Sequence, residues 1–157
     1  MDTSDKKSTV LSILNNKIKD INIAMLTSVN SMGNPHTRPM TSVEIENGGV
    51  IWFITNIFSQ KIYEIKNNNN VSISYINESK DIFVCITGRA EVISDREKME
   101  KLWRPNFNTW FQDGVNDPFL GLLKVKLNSA EYWDFKRKEM VMLFEEEDVN
   151  ELELFLE

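Results

Sequence analysis

Thr41-Ser42-Val43-Glu44-Ile45-Glu46-Asn47-Gly48-Gly49-Val50-Ile51-Trp52-Phe53-Ile54-Thr55 reads as two strands and the turn between them. In the first half, Thr41, Val43 and Ile45 alternate with Ser42, Glu44 and Glu46, and a period of two puts the two sets on opposite faces of a strand. Carried back to His36, the alternation places Arg38 and Met40 on the face opposite Val43 and Ile45. Asn47-Gly48-Gly49 supplies residues that tolerate the positive φ of a tight hairpin turn. Val50–Thr55 then returns with apolar residues on both faces, which predicts a central strand.

The same vocabulary continues outward. Ile21–Val29 is rich in β-formers and closes on the turn signal Ser31-Met32-Gly33-Asn34-Pro35. Ahead of it, Ser4 to Lys17 spaces Val10, Leu11, Ile13 and Leu14 as a helix does. Downstream, a short helix is predicted over 59–66, burying Ile62 and Ile65. The tract Asn67 to Asn70 is a loop, and Val71–Ile76 alternates again. Ile82–Ile93 is a long strand interrupted at Gly88, where a bulge or close backbone approach is expected. Asp95 caps a helix running to about Trp103, and 120–127 and 130–135 close the pattern as two strands. The order is hairpin and meander, which predicts a mainly β fold, an antiparallel barrel or sandwich with flanking helices. Residues 1–140 form one domain in this reading, and 141–157 an acidic extension. Val149, Leu152, Phe155 and Leu156 would form the apolar side of a helix there.

Composition excludes several classes. The 157 residues are 41% hydrophobic and 27% charged, with no apolar run long enough to span a bilayer. The N-terminus lacks the apolar core of a secretory signal, and the single cysteine, Cys85, fits a reducing cytoplasm. Its neighbours predict a core thiol. The net charge of −6 argues against a nucleic-acid partner, but it is unevenly placed. Residues 139–157 carry 8 acidic side chains and no Lys or Arg, whereas residues 1–138 carry 18 basic and 16 acidic ones, a balance of +2. One histidine, His36, leaves no histidine metal site, and no metal ligands are assigned. No Gly-x-Ser-x-Gly, phosphate-loop or dinucleotide-binding motif occurs.

Three stretches could carry chemistry. In Trp52-Phe53-Ile54-Thr55-Asn56-Ile57-Phe58-Ser59-Gln60-Lys61 a buried strand runs into a helix N-terminus. Its free N–H groups, the Ser59 hydroxyl and the Lys61 ammonium suit a terminal phosphate. The same residues serve equally as a plain helix cap beside a solvated lysine. Arg38-Pro39-Met40 marks a strand edge or bulge, since Pro39 cannot donate to a ladder; Arg38 there pairs either an anion or a carboxylate. Trp103, Phe107 and Trp110, at i, i+4 and i+7, form an aromatic stripe for core, dimer contact or a planar ligand.

Thr27 with its following Gly33, Arg38-Pro39-Met40, Phe53-x-Thr55-x-x-x-Ser59-x-Lys61, Gly88-x-Ala90 and Ala130-Glu131-Tyr132-Trp133-Asp134 occur in order over residues 5–136. In order and spacing they resemble the pyridoxamine 5′-phosphate oxidase-like flavin-binding split-barrel superfamily, in its bacterial general stress protein branch. The resemblance implies a split-barrel homodimer with one FMN at each end of its interface. It implies that Ser59 and Lys61 hold the FMN phosphate with support from Arg38. Arg38, Pro39 and Met40 with Phe53, Ile54 and Thr55 would line the ribityl chain and ring edge. Trp103 and Trp110 would cover the pocket or reach it from the other subunit. No catalytic residue is assigned. The oxidase's C-terminal substrate contacts, an Arg and a His, are missing from Phe144-Glu145-Glu146-Glu147-Asp148, which speaks against pyridoxamine phosphate oxidation.

Three functions follow. The first is a cytoplasmic flavin-dependent oxidoreductase acting on a small-molecule redox substrate, its cofactor FMN or a deazaflavin. The second is a non-catalytic flavin-binding stress protein. The third is a cofactor-free interaction protein working through the acidic C-terminus.

Overall fold

The computed structural model describes residues 3–46 and 48–146. Its elements are helix α1 (Thr3–Ile18), strands β1 (Ile23–Val29), β2 (Pro35–Glu46) and β3 (Val50–Asn56), helix α2 (Gln60–Asn67), strands β4 (Asn70–Asn77) and β5 (Ile82–Ile93), helix α3 (Arg96–Leu102), and strands β6 (Leu120–Asp134) and β7 (Glu139–Glu145). Every ladder is antiparallel, in the order β3-β2-β1-β4-β5-β6-β7, and β3 pairs again with β6, so the sheet closes on itself. This is the expected antiparallel barrel with flanking helices. The β2–β3 hairpin turns at Gly48 and Gly49, whose φ values of 96° and 81° are those glycine adopts without strain.

β3 is apolar on both faces because each face is covered by a different layer. Ile51 and Phe53 point into the barrel with Leu26, Ile73, Tyr75, Val84, Ile86, Leu123 and Val125. Trp52 and Ile54 join Met99, Phe107 and Leu122 in a second cluster. α1 adds Leu11, Leu14 and Ile18 to the main core, and α2 adds Ile62 and Ile65. α3 starts as anticipated, with the Asp95 carboxylate accepting from Lys98 N at 3.0 Å.

Several sequence expectations are corrected. Met40 and Ile45 pack on the same core rather than on opposite faces, because the β2–β3 register shifts between Ser42 and Ile45. The two closing strands are one 15-residue strand, β6, and the sheet continues through β7 to Glu145, past the boundary drawn at 140. The amphipathic segment of 148–156 lies outside the described residues. Trp103, Phe107 and Trp110 do not share a helical stripe. Trp103 ends α3 in extended conformation, and Pro105–Thr109 is a 3₁₀ turn that buries Phe107 and leaves Trp110 79% exposed. Cys85 alternates out of the core and lies half-buried with its Sγ 3.7 Å from Ser72 Oγ.

The break expected at Gly88 is present, as a register shift against β6 between Thr87 and Gly88. A Cβ at this position would come within 2.5 Å of the Lys126 carbonyl oxygen and 2.8 Å of Val125 Cγ1. Because one of the two is backbone, Gly88→Ala is expected to cost about 1–3 kcal/mol of stability. Urea unfolding with an unchanged m value is the measurement, and a loss below about 0.5 kcal/mol would mean that β6 yields freely there.

Candidate functional site

β2 pairs with β3 only from Ser42↔Phe53 onward, while Pro35–Thr41 pairs with β1 alone. Continued in register, the hairpin would bring Thr41, Met40 and Pro39 opposite Ile54, Thr55 and Asn56. These six residues line a cleft of about 370 Å³ instead, with Lys61 of α2 and with Phe107, Trp110 and Phe111. The barrel is therefore split at one place, and the split is the cleft. Pro39 contributes to it, having no N–H to give a ladder.

Of the candidate residues, Pro39, Met40, Ile54, Thr55, Lys61 and Trp110 line this cleft. Arg38, Phe53, Ser59 and Trp103 do not. Phe53 is wholly buried in the barrel core. Trp103 stacks edge-on against Phe107 and faces a separate cleft with Trp52, Glu46 and Lys101. Ser59 is the N-cap of α2, yet its side chain caps nothing. Its hydroxyl donates to Asn56 O at 2.8 Å and accepts from Lys61 Nζ at 3.0 Å, tying Lys61 to the strand end. Thr55 Oγ1 is buried without a hydrogen-bond partner at the wall of the cleft. A buried hydroxyl is normally paired, so this one is suited to a polar ligand atom.

Arg38 is engaged elsewhere. Its guanidinium donates to Ser28 Oγ at 2.6 Å and to Glu64 Oε2 at 3.1 Å. Glu64, on α2, is only 3% exposed and also accepts from Ser28 Oγ at 2.5 Å and from Gln60 at 3.3 Å, with His36 Nδ1 at 3.3 Å. Sequence reasoning passed over Glu64 and Ser28. The available signal was the position of Glu64 between Ile62 and Ile65, on the face of a short helix that must turn inward.

The hydrogen bond from Ser28, outweighing the opposing effect of burial and aided by His36 and Arg38, holds the Glu64 carboxyl below its ordinary 4.5. Lys61 goes the other way for a cation. Burial, and then the charge of Arg38, lowers its pKa from the ordinary 10.5. The ammonium is thus partly stripped of water beside a like charge, a condition that an anion in the cleft would relieve. Among the described residues, no group of three or more His, Cys, Asp or Glu is placed to hold a metal.

Because folding lowers the Glu64 pKa, its contribution to stability is complete above about pH 4.5 and is lost as pH falls through the lower folded-state value. Acid unfolding followed by circular dichroism is expected to be shallower in Glu64→Gln, which has no proton to take up; identical acid limbs would contradict this.

The fold agrees with what the chain is similar to. A sequence model described as "Pyridoxamine 5'-phosphate oxidase like" matches residues 10–149. General stress protein 26 of Bacillus subtilis is 31% identical over 129 residues, 80% of this chain and 86% of the relative. Protein bli-3 of Neurospora crassa is 29% identical over 136 residues; that match takes in 76% of this chain and 65% of the longer relative, just under two thirds of its length. The solved structure of the general stress FMN/FAD binding protein of Xanthomonas citri superposes with a TM-score of 0.69 at 27% identity, covering 84% of this chain and 91% of its own. The chain belongs to the pyridoxamine 5′-phosphate oxidase-like family of general stress proteins.

Proposed function

We propose that the protein binds FMN in the split between β2 and β3 and is a flavin-dependent oxidoreductase. The observation that carries this reading is the pairing, in one cleft, of a partly desolvated Lys61 with the unpartnered Thr55 hydroxyl between apolar and aromatic walls. A mostly apolar pocket of this size with a few convergent polar groups is the usual form of a small-ligand site. The flavin binding of the Xanthomonas citri relative supports the same assignment.

In this reading Lys61, steadied by Ser59, and the uncapped amides at the start of α2 hold the phosphate. Thr55 gives or takes a hydrogen bond at the polar edge of the ligand. Met40, Ile54, Phe107 and Phe111 exclude water from the ring, and Trp110 forms an outer wall. When bound, FMN would supply the redox chemistry. Lys61 is the one titratable residue among the described residues that line the cleft, so the protein's part is to bind, orient and shield. Residues 139–157 contain neither Arg nor His, so they do not provide the contacts that a phosphorylated pyridine substrate requires. We assign the substrate no further than a small redox-active molecule, in a reducing cytoplasm.

We further propose a homodimer formed through the outer face of the sheet. The register places Met25, Ile76, Phe83, Met140 and Met142 on that face, each between 37% and 58% exposed. Ile23, on the same face, also lines the cleft, so the patch and the site are continuous. A contiguous apolar patch of this kind marks an association surface.

The purified protein is expected to be yellow, and an absorbance spectrum with and without NADPH tests turnover. Bleaching supports the oxidoreductase, an unchanged flavin spectrum supports a binding protein without turnover, and a colourless protein that takes up no FMN refutes both. Lys61→Ala should weaken FMN more than tenfold, since a hydrogen bond to a charged group contributes about 1.5–3 kcal/mol. In the parent protein FMN affinity should fall as pH rises through the lowered Lys61 pKa, and in the variant that dependence should vanish. Light scattering should give about twice the 18.3 kDa chain mass, and Phe83→Glu should shift it toward the monomer; a monomeric parent would contradict the dimer.

A further inference from the structure

We infer that a groove between α1 and the β2–β3 hairpin is the docking site of the chain's own C-terminal segment, residues 147–157. The groove shares no lining residue with the cleft beside Lys61, so the inference does not depend on the flavin reading.

Three observations lead to it. The first is the groove itself. Lys7, Leu11 and Asn15 of α1 face Ile45 and Glu46 of β2 across a cavity of about 560 Å³. Ile45 and Glu46 also line the adjoining cleft of about 400 Å³ that holds Trp52, Lys101, Trp103 and Arg104. The two cavities therefore make one groove, from the first half of α1 to the end of α3. Asn15 Oδ1 is buried in its wall without a hydrogen-bond partner, and a backbone N–H of a segment laid there would pair it. The second is the place where β7 hands on the chain. Glu146 N donates to Asn128 O at 2.7 Å, and the Glu146 carboxylate accepts from Lys7 Nζ at 3.5 Å. Lys7 is a wall of the groove, so residue 147 follows directly at its mouth. At full extension residues 147–157 reach about 36 Å, more than the diameter of a small domain.

The third observation is complementarity. Residues 147–157 carry five acidic side chains and no Lys or Arg, interspersed with Val149, Leu152, Leu154, Phe155 and Leu156. The groove has the matching character. Lys7 stands at one end and Lys101 with Arg104 at the other, and the Arg104 side chain has no hydrogen bond or ion pair among the described residues. Glu46, the one acid among the described residues that line the groove, is already bonded to Trp52 Nε1 at 2.6 Å and to Lys98. Between the two ends Leu11, Ile45, Leu102 and Trp103 offer apolar surface. Seated there, the segment straps α1 to the hairpin, and the uneven charge of the chain becomes an internal pairing of its acidic end with its own body. Exposed ion pairs of this kind are weakened by salt.

The test uses the full chain. A carbodiimide joins a carboxylate to a lysine amine that touches it, and peptide mass spectrometry identifies the products. Links from Glu151, Glu153 or Glu157 to Lys101 are expected, with the link from Lys101 to Glu97, 3.9 Å away, as the internal reference. Mixing isotope-labelled and unlabelled protein should leave these links within single chains, and high salt should reduce them severalfold. Arg104→Glu, at an exposed position, should lower their yield severalfold relative to the reference. Leu152→Ser combined with Phe155→Ser should do the same and should also quicken hydrogen exchange of the α1 amides from Ser8 to Asn15 severalfold. Links from the segment only to lysines away from the groove, or none beside a normal reference link, would overturn the inference. So would products of mixed isotope content, which place the segment on a second copy. Unchanged α1 exchange in the Leu152→Ser, Phe155→Ser variant would overturn it as well.

Discussion

The β3–β6 ladder, seven residue pairs from Val50↔Lys126 to Asn56↔Leu120, is the constraint on which the rest of the molecule depends. By closing the sheet it takes the margin of β3 that faces β6 out of solvent and encloses Phe53, Leu123 and Val125. It also forces β6 to serve three neighbours, pairing with β5 along its length, with β3 through Lys126 and with β7 from Ser129. The change of partner falls where β6 carries an extra residue, Asn128, opposite Thr87 and Gly88 of β5, and at Gly88 the absence of a side chain lets the two backbones approach. β3 is paired with β6 over its whole length but with β2 only as far as Ser42, and the barrel opens on that side.

The cleft thus takes its walls from the end of the β2–β3 ladder, and its chemistry from what α2 brings to it. Lys61 and Glu64 lie on adjoining positions of that helix and face different neighbours. One borders the cleft and the other is buried beneath Arg38 and Ser28. Burial acts on the two in opposite ways. It depresses the pKa of the Lys61 ammonium, which has no carboxylate partner among the described residues, whereas for the Glu64 carboxylate the hydrogen bonds from Ser28, His36 and Arg38 outweigh it. The partly desolvated ammonium at the cleft and the satisfied buried pair are therefore the two electrostatic features that α2 contributes.

Much of this was legible beforehand for a physical reason. Strand alternation, glycine turns and a capping aspartate are local properties, so the hairpin, the start of β5 and the Asp95 cap could be read from neighbours in sequence. The failures came where a distant strand decides. The bulge after Ser42 flips the face of Ile45, because packing on the core outweighs a strict period of two. The aromatic residues from Trp103 to Trp110 have helical spacing, but Pro105 starts a 3₁₀ turn and sends Trp103 and Trp110 to different clefts. Arg38 was recognised as a cation looking for an anion. Its partner, Glu64, lies 26 residues away and is found only once α2 docks on β1 and β5.

The sequence by itself determined the antiparallel meander, the position of its turns, the strand-to-helix stretch that ends in Ser59 and Lys61, and the family. All of these depend on residues close together in the chain or on their order along it. The tertiary structure decided which residues meet. It set Pro39, Met40, Ile54, Thr55, Lys61 and Trp110 around one opening and withdrew Arg38, Phe53 and Trp103 from it. The physical reason is that register and packing join residues far apart in the chain: β3 closes the sheet on β6 and parts from β2 beyond Ser42, and the side chains at that parting line the cleft.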